Sequence, residues 1–117
     1  AEEVFQRDPT GNGPRTPLMS MGAVRMLQEG GHQFDVVDSG ADLSRYKVLI
    51  LPDVITLDDA LKQKVERYVA GGGSVLASHE SGLTPEKKAF ATSLFGVELV
   101  GEAPYSPDFI VTSGSTL

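Results

Sequence analysis

The stretch that decides the fold is Tyr46–Ser78, "YKVLILPDVITLDDALKQKVERYVAGGGSVLAS". Tyr46–Leu51 carries consecutive apolar residues without alternation, the pattern of a strand covered on both faces in a parallel sheet. Pro52-Asp53 closes that strand. Thr56, with Asp59 three residues on, has the form of a capping box in which Asp replaces Glu. A helix is therefore expected over Leu57–Ala70. Leu57, Leu61, Val65, Tyr68 and Val69 fall on one face, and Asp58, Lys62 and Glu66 line the other at the spacing of ion pairs. Gly71-Gly72-Gly73 stops the helix, and Ser74–Ser78 reads as the next strand. Strand, helix and strand joined by short connections make a right-handed βαβ unit.

The flanks continue the alternation. Val4 and Phe5 read as the tail of a first strand that runs into the turn-rich "RDPTGNGP", Arg7–Pro14. Thr16-Pro17 supplies an N-cap and a proline at the first helical position, so a helix is expected over Pro17–Glu29, stopped by Gly30-Gly31. Phe34–Val37 is expected as a strand ending at Asp38. Beyond the central unit, a helix over Glu86–Phe95, a strand over Val97–Val100 and another over Phe109–Val111 are expected. The whole, residues 1–117, reads as a single domain with a flavodoxin-like, mostly parallel sheet in a three-layer sandwich, strand order near 2-1-3-4-5.

Composition narrows the chemistry. The chain has 117 residues and no cysteine, which excludes disulfides, thiolate nucleophiles and cysteine-based metal sites but leaves the compartment open, the cytoplasm being favoured. The formal charge is −6 and the ten Lys and Arg are scattered, so no basic patch suits a phosphate backbone. The longest apolar run, Val48–Leu51, is four residues, far short of the roughly 20 needed to span a bilayer. Nucleic acid and membrane are not expected partners, and no cofactor is expected.

In sheets of this kind ligands gather at the carboxyl ends of the strands. Here those ends carry Arg7-Asp8, Asp38, Asp53 and the cluster Ser78-His79-Glu80-Ser81. Asp53, Ser78, His79, Glu80 and Ser81 are the candidate ligand-binding residues. A hydrolase built on the Ser78–Ser81 cluster is disfavoured, because neither serine has the small neighbours of a G-x-S-x-G elbow. Adjacent Ser78 and His79 at a strand end also tend to point to opposite faces. A zinc site would have to be rich in carboxylates, since His32 and His79 are the only histidines, and His32 reads as a solvated loop residue. The glycine triplet follows a helix and precedes a strand, the reverse of a phosphate loop, and no Gly-Lys-Ser/Thr follows. Asp53 as a phospho-acceptor is disfavoured because Pro52 precedes it and no strand-end lysine is available.

The run Tyr46–Glu86, "YKVLILPDVITLDDALKQKVERYVAGGGSVLASHESGLTPE", resembles the class I glutamine amidotransferase-like domains of bacterial glycoside hydrolases, best known as the trimerisation domain of family 42 β-galactosidases. Leu51-Pro52, Asp58-Asp59, Tyr68-Val69, Gly72-Gly73 and Ser81-Gly82 carry the resemblance. Weaker similarity extends to Val4–Asp8 and, as in a related group of glycosyl hydrolases, to Leu94–Glu102. True amidotransferases of this fold place a cysteine at the elbow and a His-x-Glu pair near the C-terminus. With no cysteine, and no histidine after Gly101, the resemblance excludes glutaminase activity. It implies a noncatalytic accessory domain that forms homo-oligomers and follows a catalytic (β/α)8 barrel, from which this chain is expected to have been excised. A small-molecule or sugar-binding module, and a stand-alone hydrolase, remain as alternatives.

Overall fold

The computed structural model describes residues 17–101, with side chains from Ser20 onward. The elements run α1 (Pro17–Glu29), β1 (Val48–Leu51), α2 (Asp59–Ala70), β2 (Ser74–Ala77) and a 3-10 turn (Ser93–Phe95). The two strands pair in parallel, Val48 opposite Ser74 through Leu51 opposite Ala77. The class is α/β, built on the βαβ unit of the central stretch.

The ladder is extended at both ends, where Ser74 N–H donates to Lys47 O at 3.0 Å and Ser78 N–H to Leu51 O at 3.3 Å. Leu49 and Leu51 of β1, with Val75 and Ala77 of β2, turn one face of the sheet to α2. There Leu51, Leu57 and Val65 form the core, with Ile55, Leu61 and Ala91 packed around it. The helix therefore binds through the stripe its sequence spacing foretells. On the other face Val48 and Leu76 are 54% and 59% exposed, and Ile50 between them is half-buried.

Helix α2 starts two residues later than expected, and its cap is Asp58 rather than Thr56: the Asp58 carboxylate accepts the Leu61 N–H at 2.8 Å. Leu57 stays in the core as the residue before the cap, so its hydrophobic pull does not require it to be helical. Lys62 meets Asp58 only through its backbone N–H, which donates to Asp58 O at 2.8 Å, and forms no ion pair with Asp58 or Glu66; Glu66 accepts from the Thr92 hydroxyl at 2.8 Å, tying the 3-10 turn to α2. At the far end Gly71, Gly72 and Gly73 N–H groups cap the Arg67, Val69 and Tyr68 carbonyls, which confirms the triplet as a helix stop.

Three expectations are corrected. Phe34–Val37 has no regular secondary structure and joins no ladder among the described residues, and the same holds for Val97–Val100. The helix expected over Glu86–Phe95 is absent: the chain bends through Lys87, at φ 55°, and Leu83 bridges Phe90 in antiparallel fashion. Thr84 N–H donates to Ala89 O and Ala91 N–H to Gly82 O, both at 2.9 Å, so this segment folds back on itself. Tertiary packing of Phe90 on Phe95, with ring centroids 5.7 Å apart, overrides a weak local helical preference. The strands at Val4-Phe5 and Phe109–Val111, and the Thr16 cap, lie outside the described residues.

Candidate functional site

The carboxyl ends of β1 and β2 lead into two loops that are stitched together. Asp53 follows β1 with φ 52°, and His79 follows β2 with φ 52°, both in the left-handed region that non-glycine residues seldom occupy. Ser78 joins the loops through its hydroxyl, which donates to Asp53 Oδ1 at 2.6 Å and accepts the Asp53 N–H at 3.1 Å. Glu80 N–H donates to Asp53 O at 2.9 Å. One step further in, Ser81 Oγ accepts the Ile55 N–H at 3.0 Å, and Gly82 N–H donates to Ile55 O at 2.9 Å. Leu57 N–H donates to Leu83 O at 2.8 Å and completes the seam.

The five sequence-chosen residues therefore meet at one sheet edge, but they divide into two groups. Asp53, Ser78, His79 and Glu80 form the outer crest, with the His79 imidazole exposed and Glu80 paired to Lys87 Nζ. Ser81 is turned inward and is 1% exposed, serving the loop backbone. The hydrogen-bond partner of Ser78 is Asp53, not His79, and no Ser–His pair is formed. Among the described residues no three His, Asp or Glu side chains converge as metal ligands. His32 is exposed in the turn after α1, as a loop histidine.

Lys87 and Phe95 are the contributors that sequence reasoning missed. Lys87 reaches Glu80 across the fold-back described above, and Phe95 lies over Gly82, where a Cβ would stand 2.4 Å from its ring. Gly82 has φ 90°, so the Ser81-Gly82 pair is required by both conformation and space. The Ser-Gly dipeptide was the available signal for the second contact. Nothing local announces the first.

Fold and crest together define a small parallel α/β module in which the strand-end polar groups largely hold loops to one another. A family model described as the beta-galactosidase trimerisation domain matches residues 25–101, and the chain belongs to that family. The chain is 32% identical over 62 residues to the β-galactosidase BbgII of Bifidobacterium bifidum, a match covering 53% of this chain and 9% of that protein. Among solved structures it is similar to the α-L-fucosidase isoenzyme 2 of Paenibacillus thiaminolyticus, with 53% identity, a TM-score of 0.60 and coverage of 63% of this chain and 11% of that one. The chain thus spans about a tenth of the length of these glycosidases.

Proposed function

We propose that this chain is a noncatalytic accessory domain of a bacterial glycoside hydrolase, and that its task is self-association. The family match over residues 25–101 carries the reading, and two glycosidase relatives of much greater length support it. In this reading residues 1–117 form one domain, completed as a three-layer, flavodoxin-like sandwich, and the glycosidic chemistry belongs to a (β/α)8 barrel elsewhere in the longer protein. The crest is consistent with such a role: Ser78 and Ser81 spend their hydroxyls on Asp53 and on the Ile55 backbone. The test is glycoside and ester turnover by the purified chain. None is expected, and turnover abolished by Ser78→Ala or His79→Ala would overturn the noncatalytic reading.

A second reading, a sugar or small-molecule site on the crest, is favoured by one observation. Asp53 and His79 both hold left-handed backbone conformations at adjacent strand ends, and such strain often marks a ligand site. Thermal-shift screening against mono- and oligosaccharides tests it. A stabilisation that vanishes in His79→Ala supports the site, and no shift in the wild type removes it.

A further inference from the structure

The segment from Thr84 to Gly96 is attached to the domain differently from the helices and strands. Residues 85–89 are exposed, and Thr92 is the one buried residue between 84 and 96. The segment returns to its own starting point: Ala91 N–H donates to Gly82 O at 2.9 Å, and the Phe95 ring occupies the space a side chain on Gly82 would need. A surface segment whose ends meet in this way is an Ω-loop, packed largely by its own side chains, here Phe90 on Phe95. Positive φ values at Gly82 (90°) and Gly96 (63°) bracket it. Lys87 near its tip, at φ 55°, holds a left-handed conformation that a lysine adopts only at a cost.

Its holds on the rest of the domain are few and mostly polar. Lys87 Nζ pairs with Glu80 on the crest, the Thr92 hydroxyl donates to Glu66 of α2 at 2.8 Å, and Ala91 packs at the edge of the core. These contacts are not independent. The Thr92 oxygen that reaches Glu66 also accepts the Leu94 N–H at 3.3 Å, and so caps the 3-10 turn that sets Phe95 on Gly82. Loss of one contact loosens the next, which makes a segment open as a unit instead of fraying residue by residue. The pivot stays with the core, because Leu57 N–H is bonded to Leu83 O at 2.8 Å and Leu83 is itself buried.

We propose that Thr84–Gly96 is a strap that opens and closes as one unit while β1, α2 and β2 stay folded, and that it couples the crest to α2. In the closed state Lys87 neutralises Glu80 and Thr92 holds Glu66. Opening undoes both contacts in one event. Whatever changes the partner or charge of Glu80 therefore biases the Thr92–Glu66 contact, and the reverse follows by linkage. The self-association reading neither requires nor supplies this motion.

Native-state hydrogen exchange on the whole 117-residue chain tests the strap. The bonded amides of Thr84, Ala91 and Gly96 are expected to share one opening, faster than that of fully buried Val65, which exchanges through global unfolding. Two substitutions then separate the two events. Gly73→Ala, which drives a Cβ into the Tyr68 ring at the far end of α2, should speed Val65 roughly tenfold and leave the three strap amides unchanged. Thr92→Val should speed Thr84, Ala91 and Gly96 by one common factor, roughly tenfold, although Thr84 lies eight residues away. Lys87→Met, a milder change at an exposed pair, should speed the same three by about two- to fivefold. Strap amides that follow Val65 in Gly73→Ala open only with the core, and that result overturns the proposal. Acceleration confined to Leu94 and Gly96 in Thr92→Val, or to the neighbours of residue 87 in Lys87→Met, would equally overturn it by showing local fraying.

Discussion

Gly73 gives the Tyr68 ring its place: a Cβ at residue 73 would lie 2.2 Å from Tyr68 Cζ. The ring is buried at the end of α2, and its hydroxyl sits 3.3 Å from Tyr46 O and 3.4 Å from Ser74 O, at the start of both strands. One glycine thus lets the helix end be pinned to the amino edge of the sheet.

Gly73→Ala should therefore destabilise the domain by about 1–3 kcal/mol, the usual range for forcing extra atoms into a packed site. Chemical denaturation measures it. The effect should shrink sharply in a Tyr68→Ala background, because the clash partner is then gone. Equal losses in both backgrounds would locate the cost in the backbone instead.

The two crest serines should separate under mutation. Ser81→Ala strands the Ile55 N–H in a buried seam and should cost about 1–3 kcal/mol, whereas Ser78→Ala opens an exposed contact that water can replace and should cost less. Urea midpoints of the two variants decide the order. A larger loss for Ser78→Ala would contradict the division into outer crest and inner seam.

Leu57, 1% exposed and outside the helix it precedes, is the core residue most easily misjudged from pattern alone. Leu57→Ala should cost about 2–5 kcal/mol, as truncation of a buried leucine does. Thermal unfolding of the variant checks this, and a loss below about 1 kcal/mol would show that the core does not rest on Leu57.

Two groups beside the sheet titrate away from their ordinary values. The Ser44 N–H and then its hydroxyl donate to the Asp42 carboxylate, which lowers the Asp42 pKa. A depressed folded-state pKa contributes stability that is present above the unfolded value, about 3.9, and is lost as pH falls through the folded one. Tyr46 runs the opposite way, because its phenol donates to Asp35 and its pKa is raised. Its contribution is complete below about pH 10 and lost as pH rises through the folded value. Side-chain NMR titration should show Asp42 rising in Ser44→Ala and Tyr46 falling in Asp35→Asn.

How much of this was legible varies with the range of the interaction. Helix α1 matches its expected bounds at Pro17 and Glu29 because proline and paired glycines punctuate it. The β1-α2-β2 unit was legible from hydrophobic period and the glycine stop. The helix expected at Glu86–Phe95 failed because the Leu83–Phe90 bridge and the Phe90–Phe95 contact are tertiary and leave no local mark. The gathering of Asp53 with Ser78–Ser81 followed from the rule that strand ends converge. The inward turn of Ser81 did not, since it depends on the Ile55 amide 26 residues away.

The role proposed for this domain is to join copies of a larger glycosidase without taking part in its chemistry. Light scattering of that longer protein, intact and with the segment corresponding to residues 25–101 removed, tests it most directly. The account predicts that the intact protein has three times the mass of one chain and that the deletion falls to a monomer that still turns over glycosides when its fold is preserved. An unchanged oligomer after the deletion would contradict it.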